Sequence, residues 1–303
     1  MAKITIGMPL YNNAETLSKA IDSVLAQSAG DFLLLLSDDG SSDSTWDICQ
    51  YYVSKDSRVK AIKQKSNLYY LNFLYLLEHS SSEYFCWLAG DDYMHPLYIE
   101  KCLRELERNG ELVGCGSKCE FFDPKSNRTS LAIGTFGITS DNTTQRILEY
   151  LAMPSDNTRM YGLYRRNILF DAFPRKIFHA YDWALSIQIL NKGKYKELNE
   201  ILLFREKTVP LAYNKMVSRD HSSVLFRFFP VLAMTIYLLS KKRIPKNHYM
   251  LKALFWLNML KHESYIREAT PSLYEKLEVI YKFYNKHIKW RISPIRFLRQ
   301  MGE

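Results

Sequence analysis

From residue 3 to about residue 123 the chain alternates short apolar runs with stretches whose apolar positions recur at helical spacing. The run "KITIGMP" predicts a first strand. In "AETLSKAIDSVLAQS" the apolar positions Leu17, Ala20, Ile21, Val24 and Leu25 fall on one face of a helix. "FLLLLS" predicts a second strand, apolar on both faces as an interior parallel strand must be. "DSTWDICQYYVSK" predicts a helix with Asp43 or Ser44 as its cap, and "RVKAIKQ", "LYYLNFLYLLEHS" and "EYFCWLAG" continue as strand, helix and strand. Such alternation predicts an α/β fold: a mostly parallel central sheet flanked by helices, with the loops after the strand C-termini lining one crevice.

"YIEKCLRELERNG" then predicts a strongly periodic helix and "LVGCGSKCEFF" another strand, followed by a Ser-, Thr- and Gly-rich loop over 124–140. "TTQRILEYLA" reads as helix, "RMYGLYRRNI" as strand, "YDWALSIQILNKG" as a helix stopped at Gly193, and "KYKELNEILLFRE" as a last extended segment. Beyond residue 210 the pattern becomes helical and aromatic. "HSSVLFRFFPVLAMTIYLLSKKR" is mostly apolar, interrupted by Arg227 and Pro230 and closed by the basic residues Lys241, Lys242 and Arg243; two amphipathic, Lys- and Arg-bearing stretches follow. The pattern divides the chain into a domain at 1–210, with halves 1–123 and 124–210, and a helical region at 211–303.

Charge changes that picture at the same boundary. Residues 211–303 hold 17 Lys and Arg against 6 Asp and Glu, whereas 1–210 hold 24 against 26, so the whole excess behind the net +9 lies in the last third. No apolar run reaches the roughly 18 to 20 residues that cross a bilayer, and "MAKITIGMPLYNN" lacks a signal-peptide layout, so the expected location is the cytoplasm. The basic helices suit either the anionic cytosolic face of a membrane or a homodimer interface. Cys49, Cys86, Cys102, Cys115 and Cys119 lack zinc-site spacing and are expected as reduced core residues.

Two acidic pairs carry the candidate chemistry. Asp38 and Asp39 end the second strand and Asp91 and Asp92 the fourth, so both arrive at one edge of the sheet. "DDG" alone is equally readable as a turn. Paired carboxylates in a crevice also suit a divalent cation, whose remaining ligands a diphosphate would supply. No Gly-x-x-x-x-Gly-Lys-Ser/Thr or Gly-x-Gly-x-x-Gly segment occurs, which removes the main support for kinase, ATPase and dinucleotide readings.

The segment from "ITIGMPLYNN" to "SDDGSSDST" resembles the opening of the family 2 glycosyltransferases at Pro9, Tyr11, Asn12, Ser23, Gln27 and Asp38 through Thr45. The resemblance implies a GT-A-type nucleotide-binding fold. It implies that Tyr11, Asn12 and the Pro9 backbone contact the nucleotide, that Asp39 accepts a hydrogen bond from a uracil ring, and that Asp38 lies beside it toward the ribose. "WLAGDDYMHP" looks like the family's metal signature, with Ala89 where the commonest version has its first Asp. On that reading Asp91 serves the ribose, the phosphates or the metal, and Asp92 the metal, Mg2+ or Mn2+. "FHAYDWALSIQIL" matches the segment that carries the general base, here Asp182, and Arg165, Arg166 and Arg205 are candidates for phosphate or acceptor contacts. His179 and His221 are weaker candidates near the metal.

The family's processive synthases carry a Gln-x-x-Arg-Trp segment and membrane spans, and neither follows Asp182 here. The expectation is therefore an inverting, non-processive transfer from a nucleotide sugar to a glycan or lipid-linked glycan in cell-surface polysaccharide biosynthesis. The competing expectation is an inactive nucleotide-binding or scaffold protein on the same fold, with Ala89 marking a lost metal site. Nucleic acid is not an expected partner, since no recognition module accompanies the basic charge.

Overall fold

The computed structural model describes residues 2–153, 156–176, 178–207, 212–240 and 243–302. Lys241 and Lys242 of the basic cluster lie outside them. Contacts divide the chain into two compact units, one of residues 1–137, 156–173 and 193–208, the other of 138–155, 174–192 and 209–303.

The first unit opens with β1 (Ile4–Leu10), α1 (Leu17–Leu25), β2 (Phe32–Asp38), α2 (Thr45–Lys55), β3 (Val59–Lys63), α3 (Leu71–Glu78) and β4 (Tyr84–Trp87). These are the strands and helices the hydrophobic pattern predicts. The four strands lie side by side as β3-β2-β1-β4, all parallel. The leucines of β2 are covered on both faces, and α1 buries Leu17, Ala20, Ile21 and Val24 against the sheet, with Leu25 partly covered. Apolar area removed from water holds these layers together, at roughly 25 cal/mol per Å2. Gly7 is required where β1 meets β4: a Cβ there would lie 2.7 Å from the Phe85 ring.

Past β4 the sheet becomes mixed. A short β5 (Tyr93–Met94), α4 (Tyr98–Arg108), β6 (Leu112–Asp123) and β7 (Arg128–Leu131) follow, and β7 forms an antiparallel ribbon with β6 inside the stretch expected as loop. All four β7 residues are exposed, so no alternation of apolar and polar positions betrays it.

The second unit contributes α5 (Thr143–Ala152). The chain then re-enters the first unit through a 3₁₀ turn at Thr158–Tyr161, β8 (Leu163–Arg165) and α6 (Arg166–Ala172). The strand expected across "RMYGLYRRNI" is thus three residues long, and the last three residues of that segment, Arg166, Asn167 and Ile168, are helical. β8 pairs antiparallel with β4 and β6, and after α7 (Tyr181–Lys192) of the second unit, β9 (Lys194–Glu206) runs parallel to β6 and antiparallel to β5.

The rest of the second unit is helical: α8 (Tyr213–Asp220), α9 (Val224–Phe228), α10 (Leu232–Ser240), α11 (His248–Ala269), α12 (Pro271–His287), a 3₁₀ turn at Lys289–Ile292, and α13 (Pro294–Gly302). Pro230 lies in the break between α9 and α10, whereas Arg227 falls in the last turn of α9. All five cysteines are free and buried, as expected.

Candidate active site

The acidic pairs sit on the two loops that leave β2 and β4, and the turn after β1 ties those loops to one another. The Leu10 carbonyl accepts the Asp39 amide at 2.8 Å, the Ser41 hydroxyl accepts the Asn12 amide at 2.9 Å, and Asn12 Oδ1 accepts the Ser42 amide at 2.9 Å. Thr45 Oγ1 and Asp43 Oδ2 accept the amides of Asn13 and Ala14. From the same turn Thr16 Oγ1 donates to the Gly90 carbonyl at 2.8 Å, and a Cβ on Gly90 would lie 2.7 Å from Asn13 Cγ and 2.8 Å from Leu10 Cδ2. Asn12 holds φ 53°, a left-handed conformation that Asn tolerates better than most residues, and Gly40 in the facing loop holds φ 79°.

Two further motif residues brace the Asp91–Asp92 loop from behind. Ser23 Oγ accepts the Met94 amide, and the buried Gln27 donates to the His95 carbonyl while its Oε1 accepts the Ile99 amide. Ser23 on α1 and Gln27 just past its C-terminal end therefore set where the second acidic loop lies.

The two pairs are covered differently. Asp39, 3% exposed, accepts the amide of Leu68 at 2.7 Å on one oxygen and that of Tyr69 at 2.9 Å on the other. Burial raises its carboxyl above the ordinary value, the two amides oppose that shift, and the neighbouring Asp38 adds to it. Each Asp39 oxygen still has a lone pair to offer. Asp38 is fully buried, and its Oδ1 accepts the Ser41 amide and hydroxyl. Its Oδ2 is buried with no hydrogen-bond partner among the described residues. Tyr11 stands nearby in sequence with an exposed ring, and Pro9 lies in β1 opposite Ser37.

Asp92, 2% exposed, is covered by a cation instead. Its Oδ2 accepts Arg205 Nε at 3.0 Å and its Oδ1 the Glu206 amide at 3.0 Å. Burial is the largest influence on this carboxyl and pushes it up to about 7 against the pull of Arg205. Arg205 is fixed in turn by Thr158 Oγ1 at 3.0 Å and by the Tyr161 ring, 4.4 Å from the guanidinium. Asp91 is only half-buried. Sequence reasoning missed Glu206, whose carboxyl is raised by burial first and then by Asp91 and Glu15, and it missed Lys19, whose ammonium lies 3.5 Å from the Tyr93 ring centre. Only the pairing of β5 with β9 brings residues 205 and 206 to Asp92, and no local pattern signals it.

Arg165 and Arg166 do not reach this edge. Arg165 pairs with Tyr84 at the start of β4, whereas the acidic loop leaves its end. Arg165 donates to the carbonyls of Leu106 and Leu112, and Arg166 to Ser80 Oγ and the Leu77 carbonyl. Both guanidiniums cover carbonyls left open at the C-terminal ends of α4 and α3, which corrects the expectation of a phosphate contact.

In the second unit Asp182 lies in the first turn of α7. His179, two residues before α7, meets Asp220 Oδ2 through Nδ1 at 2.8 Å, and His221 Nε2 meets the Pro230 carbonyl at 3.1 Å. Among the described residues no group of three or more His, Cys, Asp or Glu could hold a metal by itself. A site of one or two carboxylates, completed by ligand phosphates and water, is the arrangement magnesium ordinarily uses, and Asp91 fits it.

The family model described as glycosyl transferase family 2 matches residues 5–174. Chondroitin synthase of Pasteurella multocida is 26% identical over 223 residues, 73% of this chain and 21% of that protein. The putative glycosyltransferase EpsE of Bacillus subtilis is 36% identical over 118 residues, covering 38% of this chain and 42% of that one. The chain thus spans about a fifth to two fifths of these curated relatives. Among solved structures, S. aureus TarS 1-349 in complex with UDP-GlcNAc superposes with a TM-score of 0.56 at 14% identity, over 99% of this chain and 92% of that one. The mannosyltransferase PcManGT of Pyrobaculum calidifontis, in complex with GDP-Man and Mn2+, gives 0.57 at 10% identity, over 98% and 84%. These likenesses bear out the fold.

Proposed function

The chain belongs to glycosyl transferase family 2, and on that premise we propose that it transfers a sugar from a UDP-sugar to a hydroxyl of a glycan or lipid-linked glycan, inverting the anomeric carbon, in cell-surface polysaccharide synthesis. The observation that carries this reading is the turn at Asn12–Thr16, which holds two buried acidic loops together at the carboxyl ends of parallel strands. That is where open α/β sheets bind nucleotides.

The residues divide the work by what each still has to offer. Tyr11, Asn12, the Pro9 backbone and the remaining Asp39 lone pairs receive the base. Asp38 Oδ2, a buried acceptor without a donor, takes a ribose hydroxyl. Asp91 would hold Mg2+ or Mn2+ together with the donor diphosphate, and the metal would supply charge neutralisation on the leaving group. Asp92 is already paired with the Arg205 cation, which opposes a second cation at the same carboxylate, so it positions the loop that presents Asp91 rather than binding the metal itself. Asp182, in the first turn of α7, takes the acceptor proton as the acceptor oxygen bonds to the anomeric carbon and the bond to the diphosphate breaks.

The acceptor side follows from the second unit, whose basic helices suit a lipid-linked acceptor at the cytosolic face of a membrane. Turnover of a UDP-sugar panel with and without Mn2+, on the wild type and on Asp182→Asn, tests the mechanism. Unchanged transfer by Asp182→Asn would sink it. Calorimetric UDP binding without turnover of any donor would favour a nucleotide-binding protein that performs no chemistry.

A further inference from the structure

Helix α11 mixes Lys252, Lys261, Glu263, Arg267 and Glu268 with apolar residues, of which Met250, Ala253, Leu254, Leu257 and Ile266 are buried. One side stays open. Leu251, Leu254, Phe255, Asn258 and Met259 follow one another at helical spacing along a groove of about 290 Å3 whose opposite wall comes from α9 and α10. The rim is exposed although it is made of large hydrophobic side chains: Leu225 is 55%, Phe255 54% and Leu251 48% accessible. A contiguous apolar surface of this kind marks an interaction site on a folded protein.

Charge selects the occupant. Residues 221–262, which contain the whole groove, include 7 Lys and Arg and not one Asp or Glu. A second copy docking on this face would set like charge against like charge, which opposes association. An anionic bilayer offers both missing complements, acyl chains for the groove and phosphates for the cations. No helix among the described residues is long and apolar enough to cross a membrane, so contact is made along the surface.

We propose that the groove of α9, α10 and α11 is a membrane-docking face that admits acyl chains of an anionic bilayer. Its purpose rests on the glycosyltransferase reading, since it would bring the enzyme to a lipid-linked acceptor, but its test does not.

Flotation of the full chain with vesicles of phosphatidylcholine alone, and with about one third phosphatidylglycerol, measures the partition. Binding is expected to the anionic vesicles only. Leu251→Ser with Phe255→Ser should weaken it more than about tenfold, because each side chain forfeits burial in lipid. Lys246→Glu and Lys252→Glu should each weaken it about fivefold or more. Since Leu251, Phe255, Lys246 and Lys252 are exposed, melting temperatures should stay at the wild-type value. Equal partition of wild type and the double Ser variant would overturn the proposal, as would a dimer in light scattering that the double variant dissociates. A chain that floats with anionic vesicles yet turns over no donor would retain the docking face and overturn the transferase reading.

Discussion

The loop after β2 and the loop after β4 each bury a carboxylate almost completely, and they solve that problem by opposite means. Asp39 is held by two backbone amides from residues 68 and 69, and Asp92 by a guanidinium from residue 205. A charge held by amides depends on the path of the chain and on no single side chain. A charge held by a guanidinium depends on one residue far away in sequence. The first arrangement leaves a carboxylate able to accept from a ligand donor; the second offsets the buried charge with a guanidinium, which disfavours a metal at the same oxygens and leaves the neighbouring Asp91 for chemistry.

The largest test of this contrast is Arg205→Met, which strands Asp92 in the interior without its cation. Breaking a buried pair in this way costs about 3–5 kcal/mol, so denaturant unfolding should show a loss of that size. A loss below about 1 kcal/mol would mean that the amide of Glu206 suffices and that the two loops are not different in kind. Next comes Asp91→Asn, expected to lower transfer about a hundredfold or more while unfolding stays within about 0.5 kcal/mol of wild type. A smaller effect than that of Asp92→Asn would reverse the division of labour between them.

Gly40→Ala asks how far the amide-held loop tolerates strain at φ 79°. A cost of about 1–2 kcal/mol is expected from the left-handed backbone alone, read as a lower melting temperature. The smallest effect is a pH slope. Asp39 has its carboxyl raised by burial, so the folded chain keeps that proton to a higher pH than the unfolded one. Its contribution to stability is complete below the ordinary carboxylate value of about 4 and is lost as pH rises through the raised one. Asp39→Asn should therefore flatten the fall in unfolding free energy between acid and neutral pH, and an unaltered slope would assign it to another group.

Much of this arrangement is legible in the sequence because β2 and α1 are dictated locally: leucines that need cover on both faces, and a helix face at Leu17, Ala20, Ile21 and Val24. Both acidic pairs could be placed at one sheet edge from chain order alone. The Asp92–Arg205 pair could not, since it depends on how β5 and β9 meet. Arg165 and Arg166 misled for a related reason: a basic residue beside a strand looks the same whether it faces phosphate or closes a helix end. Likewise β7, exposed along its length, exists because β6 offers it an edge rather than because its own residues demand a strand.

The contact between Gly90 and Asn13 has a consequence for inheritance. Because a single methyl group at residue 90 would collide with residue 13, the two positions cannot drift independently. Descendants of this chain that acquire a side chain at 90 are expected to carry a smaller residue at 13, so the two acidic loops are transmitted as one trait.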